Sequence, residues 1–312
     1  MYARTATASL AAAALLGVGA LLLPTPGSRT PDTGPGAATG TGIRTVSARA
    51  AGASAGPPVV FAHRGASAYA PENTLAAVDR ADRLGFDWVE NDVQLTRDKV
   101  LVVVHDTDLR RTTDVEKVFP GRAPWAVKQF TAAEIARLDA GSWFGARYAG
   151  TRVPTLAQYL DRIEHNHQNL LLEIKSPEIY PGIEKETLRV LGRKGWLDPG
   201  HIKNRLVIQS FGAGSIKKVH QQRPDITTGF LGSPAVADLR SYAAFADQIN
   251  ASFTSIGARY VAAVHALKGA HGRKLRLNTW TVNDAPTAVK ADRLGVDGII
   301  TNTPDVVRRA IG

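Results

Sequence analysis

From Pro58 onward, two hydrophobic periodicities alternate along the chain. Short apolar runs predict buried strands, and segments with apolar residues three or four positions apart predict amphipathic helices. The predicted strands are Val59–Ala62, Asp87–Leu95 with Val100–His105 as its extension, Leu170–Ile174, Arg205–Ser210, Thr227–Leu231, Gln248–Ser252, Lys274–Val282 and Gly298–Thr301. The predicted helices are Asn73–Leu84, Thr155–Ile163, Ile183–Leu191, Ser215–Gln222, Val236–Phe245, Tyr260–Lys268, Pro286–Leu294 and Pro304–Ile311. Eight strand–helix units in strict alternation predict an α/β fold whose parallel strands close into a (β/α)₈ TIM barrel.

An open, doubly wound sheet is the main competing architecture. Such a sheet usually shows a Gly-rich dinucleotide turn after an early strand, and this sequence has none. Residues 106–154 interrupt the second unit and contain Trp125 and Trp143. A long insertion on the C-terminal side of a barrel strand is more often a lid over the substrate than a stray loop. We therefore expect a barrel with an inserted segment after the second strand.

The N-terminal residues have the pattern of an export signal. Arg4 precedes Ser9–Leu23, an uninterrupted run of small and apolar residues that is shorter than the roughly 20 residues a spanning helix needs. Residues 1–24 are therefore predicted to be a signal peptide and the protein to be secreted, with an uncleaved membrane anchor as the alternative. Residues 25–57 are rich in Pro, Gly, Ser, Thr and Ala, which predicts a flexible linker. The folded domain is expected to span residues 58–312.

Charge and composition narrow the classes of partner. The formal net charge is +10 and the sequence pI is about 9.9, so anionic partners are favoured. No block of Lys and Arg marks a nucleic-acid-binding arm, and we expect a small phosphorylated substrate, no nucleic acid and no stable membrane span after signal cleavage. The chain has no cysteine, which excludes disulfides, thiolate metal ligands, a cysteine nucleophile and a lipid-modified cysteine.

Two pairs of charged residues stand at the ends of predicted strands. Glu90 and Asp92 are two positions apart, so their side chains share one face of a strand, where mutual repulsion and burial are costly. Glu173 and Lys175 repeat this spacing at the end of the next barrel strand. A divalent cation would offset the negative charge, and three hard oxygen ligands favour Mg²⁺ or Ca²⁺ over Zn²⁺. Ordinary surface ion pairs are the alternative.

Two histidines follow apolar runs directly. His63 and His105 fit a base and an acid that act near neutral pH, although either can be a hydrogen-bonded structural residue. Arg64 can hold phosphate oxygens with its planar guanidinium, and Lys175 can add a second positive charge. Asp106 either orients His105 or caps the turn.

Several motifs together resemble the glycerophosphodiester phosphodiesterase family. In order along the chain they are H-R-G-A-S-A-Y-A-P-E-N-T, E-N-D-V-Q-L-T, V-V-H-D-T-D-L-R-R-T-T, P-T-L, L-E-I-K, Q-S-F, W-T-V-N and G-V-D-G-I-I-T-N-T-P. They lie between residue 58 and about residue 305, so the resemblance covers the whole predicted domain. It implies a (β/α)₈ barrel with an insertion after the second strand, which corresponds to about residues 106–154.

The resemblance also implies a role for individual residues. One divalent cation is expected on Glu90, Asp92 and Glu173, catalysis at His63 and His105, and substrate or phosphate contacts at Arg64, Lys175, Glu72 and Trp280. Asn73 of the P-E-N-T motif is expected to cap the first helix. One departure is visible, because Asn302 stands where many members have Asp. An amide can still form hydrogen bonds, so the fold and the chemistry are expected to persist.

The predicted function is metal-dependent hydrolysis of glycerophosphodiesters to glycerol 3-phosphate and an alcohol. His105 is favoured as the acid and His63 as the base, and the reverse assignment also fits. The closest alternatives are a phospholipase C or D and a phosphodiesterase acting on polyglycerol phosphate of a cell wall, both on the same barrel. A non-catalytic module that binds phosphate polymers is the alternative from another class.

Overall fold

The computed structural model describes residues 56–312. The predicted signal peptide, residues 1–24, and nearly all of the predicted linker, residues 25–57, lie outside this range. Nine strands form one sheet: β1 (Val59–Ala62), β2 (Trp88–Leu95), β3 (Leu101–Val103), β4 (Asn169–Ile174), β5 (Leu206–Ser210), β6 (Thr227–Leu231), β7 (Gln248–Ser252), β8 (Arg276–Trp280) and β9 (Gly298–Thr301).

Eight of these strands close into a parallel barrel. The order around the barrel is β1, β9, β8, β7, β6, β5, β4 and β2, and β2 returns to pair with β1. At the closing seam, Ala62 pairs with Val89, and on the other side of β1 Val59 pairs with Gly298. The predicted (β/α)₈ barrel is confirmed. The C-terminal ends of all eight strands therefore meet at one mouth, where active sites of this fold are built.

The third apolar run does not extend β2, and the predicted extension Val100–His105 is wrong. β3 runs antiparallel to β2, with Val103 opposite Val93. The chain reverses at a turn in which Thr96 Oγ1 accepts a hydrogen bond from the Val100 backbone and Lys99 has φ +62°. The hairpin returns the chain toward the barrel mouth, so His105 still arrives there although its strand lies outside the barrel.

Most of the described helices cover the outside of the barrel, and two short ones lie in the inserted segment. The helices are α1 (Leu75–Arg83), α2 (Val115–Val118), α3 (Ala132–Ile135), α4 (Leu156–His165), α5 (Ile183–Arg193), α6 (Pro199–Asn204), α7 (Ala213–Gln222), α8 (Leu239–Ala243), α9 (Ala258–His265), α10 (Ala285–Leu294) and α11 (Pro304–Ile311). α4 begins with a capping box in which Thr155 and Gln158 each accept a backbone N–H of the other. α8 is shorter than the predicted helix Val236–Phe245, because Val236–Asp238 form a separate 3₁₀ turn. Within residues 56–312, no helix is both long and apolar enough to cross a membrane.

The inserted segment has a small core of its own. α2 and α3 lie in it, and its buried residues include Phe130, Ile135 and Leu138. Trp125 packs partly against this core, whereas Trp143 is 42% exposed. The insertion is therefore a folded cap beside the mouth, and its aromatic residues are divided between its interior and its surface.

A row of amide side chains crosses the barrel interior. Asn250 Nδ2 donates to Gln209 Oε1 at 2.7 Å, and Asn278 Nδ2 donates both to Asn250 Oδ1 at 3.0 Å and to Gln248 Oε1 at 2.9 Å. Gly229 provides the space, because a Cβ there would lie 2.9 Å from Asn250 Nδ2. These buried amides satisfy one another, as buried polar groups must to avoid a large free-energy cost.

Candidate active site

Three carboxylates meet at the barrel mouth. Glu90 and Asp92 lie on β2 and Glu173 on β4, and Asp92 pairs directly with Glu173 across the two strands. All three residues are buried, and one carboxylate oxygen from each lies within 4.8 Å of the other two. The structure therefore brings the three predicted metal ligands together, in a cluster whose charge must be offset.

The pKa values of the three carboxyl groups show that their negative charges are not equally stabilised. Burial, with Asp92 and Glu173 nearby, raises the pKa of Glu90 well above its ordinary range. Burial and Asp92 raise the pKa of Glu173 to about 8, although Lys175 Nζ lies 2.8 Å from its Oε1. The pKa of Asp92 is lowered, because Arg64 and Lys175 outweigh the effect of burial. Two cationic side chains thus stabilise one carboxylate and leave the other two with unfavourable charge.

The donor set fits a hard divalent cation. Among the described residues, no donor forms a hydrogen bond with Asp92 Oδ1, which is buried between β2 and β4. Its other oxygen, Oδ2, accepts from Asn73 Nδ2 at 2.8 Å and lies 3.3 Å from Arg64 Nε. A buried carboxylate oxygen that has no hydrogen bond and lies 3.8 Å from Lys175 Nζ, beside two further carboxylates, suits an oxygen-binding cation such as Mg²⁺ or Ca²⁺.

Asn73 has a different role from the predicted helix cap, so that prediction is wrong. The residue that caps α1 is Thr74, whose side chain accepts a hydrogen bond from the Ala77 backbone. Asn73 adopts φ +58°, which turns its side chain inward to Asp92. Asn tolerates this left-handed conformation better than most residues. Asn73 therefore orients a candidate metal ligand.

His63 lies beside Glu90 and is held by Asn302. Its Nδ1 is 2.6 Å from Asn302 Oδ1, and its Nε2 is 4.0 Å from Glu90 Oε2. An amide oxygen only accepts, so Nδ1 carries the proton and Nε2 is left with its lone pair. Burial, reinforced by the Arg64 charge, lowers the pKa of His63 to about 4. The amide at the position of Asn302 thus keeps a hydrogen bond to the histidine, as expected.

His105 is held from both sides. Asp106 Oδ1 lies 2.6 Å from its Nδ1, and Lys175 Nζ lies 3.1 Å from its Nε2. Although burial acts in the other direction, hydrogen bonds from Arg111 and His105 lower the pKa of Asp106 to about 2. Of the two roles considered for Asp106, the contact with the imidazole is the one observed.

Glu72 and two arginines form a network above the carboxylates. Arg64 Nη1 donates to Glu72 Oε1 at 2.9 Å, and the Arg64 backbone N–H donates to Glu90 Oε2 at 3.0 Å. Arg111, from the insertion, binds both Glu72 oxygens at 2.8 Å. The two arginines together outweigh burial and lower the pKa of Glu72. The structure thus joins Glu72 to Arg64, and it adds Arg111, which the sequence-based prediction missed.

An aromatic wall borders the mouth. Trp280, at the end of β8, donates its indole N–H to the Asn250 carbonyl at 2.9 Å and meets the Phe211 ring edge to face at 5.6 Å. Phe211 is 49% exposed, and Lys175 Nζ lies 5.4 Å from the centre of its ring. This wall is next to the charged cluster, where the less polar part of a ligand can pack.

Gln94 holds the backbone that positions His105, which sequence analysis did not detect. Its Nε2 lies within hydrogen-bonding distance of the carbonyl oxygens of Val104, His105 and Asp106, at 2.9, 3.0 and 2.6 Å. Tyr180 donates its hydroxyl to Gln94 Oε1 at 2.7 Å. A buried glutamine two positions beyond Asp92 was the only signal in the sequence, and its partners are distant along the chain.

A large cavity lies elsewhere, at the opposite end of the barrel. Its volume is about 900 Å³, and its lining includes Phe61, Trp88 and the positively charged residues Lys203, Arg273 and Arg276. Its two acidic residues, Asp247 and Asp297, each contact a histidine ring. The chemistry is assigned to the mouth and not to this cavity, because the three carboxylates, both candidate histidines and Lys175 converge at the mouth.

Comparisons with known proteins identify the family of this chain. A model described as the glycerophosphoryl diester phosphodiesterase family matches residues 63–306. A glycerophosphodiester phosphodiesterase of Bacillus subtilis (strain 168) is 33% identical over 268 residues, which cover 80% of this chain and 85% of that protein. One from Caldanaerobacter subterraneus subsp. tengcongensis is 35% identical over 251 residues, or 80% and 96% of the two chains.

A solved structure has the same architecture. It is that of an Oleispira antarctica phosphodiesterase in complex with the product sn-glycerol-3-phosphate, with 29% sequence identity and a TM-score of 0.71. The match covers 82% of this chain and 97% of that one. This chain therefore belongs to the glycerophosphoryl diester phosphodiesterase family and is a glycerophosphodiester phosphodiesterase.

Proposed function

We propose that the enzyme hydrolyses glycerophosphodiesters to sn-glycerol 3-phosphate and an alcohol, with one divalent cation and the two histidines His63 and His105. The observation that supports this most directly is the convergence of three buried carboxylates between these histidines. The product bound to the Oleispira antarctica phosphodiesterase supports glycerol phosphate as the product here. Comparisons that name glycerophosphodiester phosphodiesterases favour this substrate over intact lipid or polyglycerol phosphate.

Glu90, Asp92 and Glu173 would hold the cation, either Mg²⁺ or Ca²⁺. A bound divalent cation supplies Lewis-acid polarisation of the phosphate and neutralises charge that develops on it. Arg64 and Lys175 place two further positive charges at the cluster, at 3.3 and 3.8 Å from Asp92 oxygens. They bind the phosphate and stabilise its additional negative charge in the transition state.

His63 is the base in this proposal. Its Nδ1 proton is engaged by Asn302, so the free Nε2 takes a proton from the nucleophile as the new P–O bond forms. The lowered pKa of His63 keeps the ring neutral, as a base requires. His105 is the acid, because Asp106 holds its Nδ1 at 2.6 Å and leaves its Nε2 facing Lys175 at the cluster. When Lys175 turns from Nε2 to the phosphate, Nε2 is free to carry the proton that it gives to the departing alcohol oxygen as the old P–O bond breaks.

Two nucleophiles are compatible with this arrangement. Water gives glycerol phosphate directly, whereas the glycerol 2-hydroxyl first gives a cyclic phosphate that water then opens. Single-turnover reactions quenched at short times separate the two routes, since only the second accumulates the cyclic phosphate.

The function is tested with a substrate panel and chelation. We expect glycerophosphocholine, glycerophosphoethanolamine and glycerophosphoinositol to release glycerol phosphate, and lysolipid and polyglycerol phosphate to react far more slowly. Chelation should abolish turnover and Mg²⁺ or Ca²⁺ should restore it. Glu173→Gln should be inactive. The control variant Asp108→Asn should be active, because in the described structure the Asp108 side chain, on the inserted segment, pairs only with neighbouring Arg110. Full turnover after exhaustive chelation, or a preference for lysolipid, would contradict the proposal.

We also propose that the enzyme is exported. Support comes from the run of small and apolar residues Ser9–Leu23, which follows Arg4. Mass spectrometry of the extracellular protein should find a new N-terminus between about residues 27 and 56. Recovery of a chain starting at Met1 in the membrane fraction would support an uncleaved anchor instead.

A further inference from the structure

Arg111, from the inserted segment, contacts two side chains at the barrel mouth, Glu72 and Asp106. Its Nη1 and Nη2 donate to the two oxygens of Glu72 at 2.8 Å, and its Nε donates to Asp106 Oδ2 at 2.5 Å. All three kinds of guanidinium nitrogen are therefore used. Such a bidentate contact with a third bond in the same plane fixes geometry in a way that a lysine cannot reproduce.

One branch of this network leads to Arg64. Glu72 Oε1 is shared, since Arg64 Nη1 lies 2.9 Å from it while Arg111 holds both oxygens. Glu72 is 12% exposed, and its single negative charge is divided between the two arginines. Because Arg111 takes the bidentate contact, Glu72 neutralises the positive charge of Arg64 less completely, and this charge can act on a phosphate.

The other branch leads to His105. Asp106 offers Oδ1 to the imidazole at 2.6 Å and Oδ2 to Arg111. Its carboxyl plane is thus fixed at both ends, and the ring is held with Nε2 toward Lys175. Without Arg111, Asp106 can rotate or turn to solvent, because its side chain is 29% exposed.

We propose that Arg111 is a positioning residue for the reaction: it orients His105 through Asp106 and limits the neutralisation of Arg64 through Glu72. This inference rests on the proposed function of the same site. It also gives the insertion a part in catalysis, since folding of the cap places Arg111 against two side chains of the mouth.

The chain supplies a matched control in the neighbouring residue. Arg110 pairs with Asp108, is 53% exposed and, in the described part of the chain, reaches neither Glu72 nor Asp106. Arg110→Ala therefore removes the same charge from the same segment without touching the network. We expect it to keep kcat and KM within about twofold of the wild type.

Arg111→Ala should lower kcat about 10- to 100-fold, the usual scale for loss of a residue that orients catalytic groups, and should raise KM. Guanidinium ion in the buffer should restore part of the activity, whereas methylammonium should not. In the Asp106→Asn background the effect on kcat should shrink, and in the Glu72→Gln background the effect on KM should shrink, because each background removes one branch. Arg111→Lys, which is available if the alanine variant does not fold, should show an intermediate loss.

Imidazole ¹⁵N NMR gives a readout that is independent of turnover. In the full-length wild type and in Arg110→Ala, His105 should show a slowly exchanging Nδ1 proton, which Arg111→Ala should lose. If wild type shows this proton but hydrolyses no glycerophosphodiester, the proposed function fails and the positioning role stands. Wild-type kinetics and an unchanged His105 signal in Arg111→Ala, or additive effects in both double-mutant cycles, would overturn the inference.

Discussion

Removing the cation should make the stability of this protein fall as pH rises, and Glu173 allows the size of the effect to be calculated. In the folded protein the pKa of Glu173 is raised from the ordinary value of 4.5 to about 8, because burial and Asp92 disfavour its charge. Between pH 4.5 and 8 the folded chain holds a proton that the unfolded chain releases. The free energy of unfolding therefore decreases as pH rises through this window.

Each pKa unit corresponds to about 1.4 kcal/mol, so the difference between 4.5 and about 8 amounts to about 5 kcal/mol at most. For a domain of this size that is a loss of about 10–20 °C in Tm. Glu90 acts in the same direction, because its pKa is raised as well. Saturation with the cation at about 100 times Kd should restore about 2.7 kcal/mol.

The assay compares thermal unfolding of the chelated wild type and the chelated Glu173→Gln variant from pH 4.5 to 8. The difference in Tm between the two proteins isolates the contribution of Glu173. The glutamine variant should become the more stable protein as pH rises, although we expect it to be inactive. Glu116→Gln, which changes an exposed glutamate on α2, should follow the wild type at every pH. A difference in Tm that does not change with pH would refute the electrostatic argument.

Other outcomes follow from the same contacts. Replacing His63 or His105 by Ala should lower kcat by about 10²–10⁴ with little change in binding of glycerol phosphate, and near-normal kcat would show that the histidine is structural. Asn302→Asp should raise the pKa of His63, because it places a carboxylate where the amide oxygen now lies 2.6 Å from His63 Nδ1. The acidic limb of the pH–rate profile should therefore move to higher pH, whereas Asn302→Ala should not move it in that direction. Gln94→Leu should lower kcat, because the backbone carbonyl groups around His105 lose the amide whose two N–H groups they share; an equal loss of kcat in the control Gln129→Leu on the insertion surface would contradict this. Deletion of residues 1–55 should leave full activity even after production in a reducing cytoplasm, and loss of folding would contradict the predicted linker.

The barrel was predictable because its signals are local. The apolar runs of the barrel are strands that are largely buried, and Thr227–Leu231, Gln248–Ser252 and Gly298–Thr301 have the predicted bounds. The helix α6 was missed because its six residues are too few to show a periodicity. Its Asp198 cap and the proline at its first position were the available signals.

The charged residues of the site were predictable because their spacing and their place at strand ends are chemical constraints on the sequence. The connections among them were not. The direction of β3 depends on one turn at Thr96, and the inward rotation of Asn73 depends on its positive φ. Arg111 forms hydrogen bonds with Glu72, which is 39 positions away in the sequence. Gln94 forms one with the carbonyl group of Val104, which is 10 positions away. No periodicity in a single sequence records such pairs.

The hydrogen bonds of the amide row in the barrel all run in one direction, and this limits which substitutions the interior can accept during evolution. Gln209 Nε2 lies 3.4 Å from Glu90 Oε1, so the end of the row is fixed by a group that, when ionised, only accepts. Gln209 must then accept from Asn250, and Asn250 from Asn278. Replacing one amide leaves its neighbour with a buried donor or acceptor and no partner. We therefore expect Gln209, Asn250 and Asn278 to covary among relatives. We also expect the contact between Gln209 and Glu90 at the barrel mouth to set the orientation of the amides deeper in the barrel.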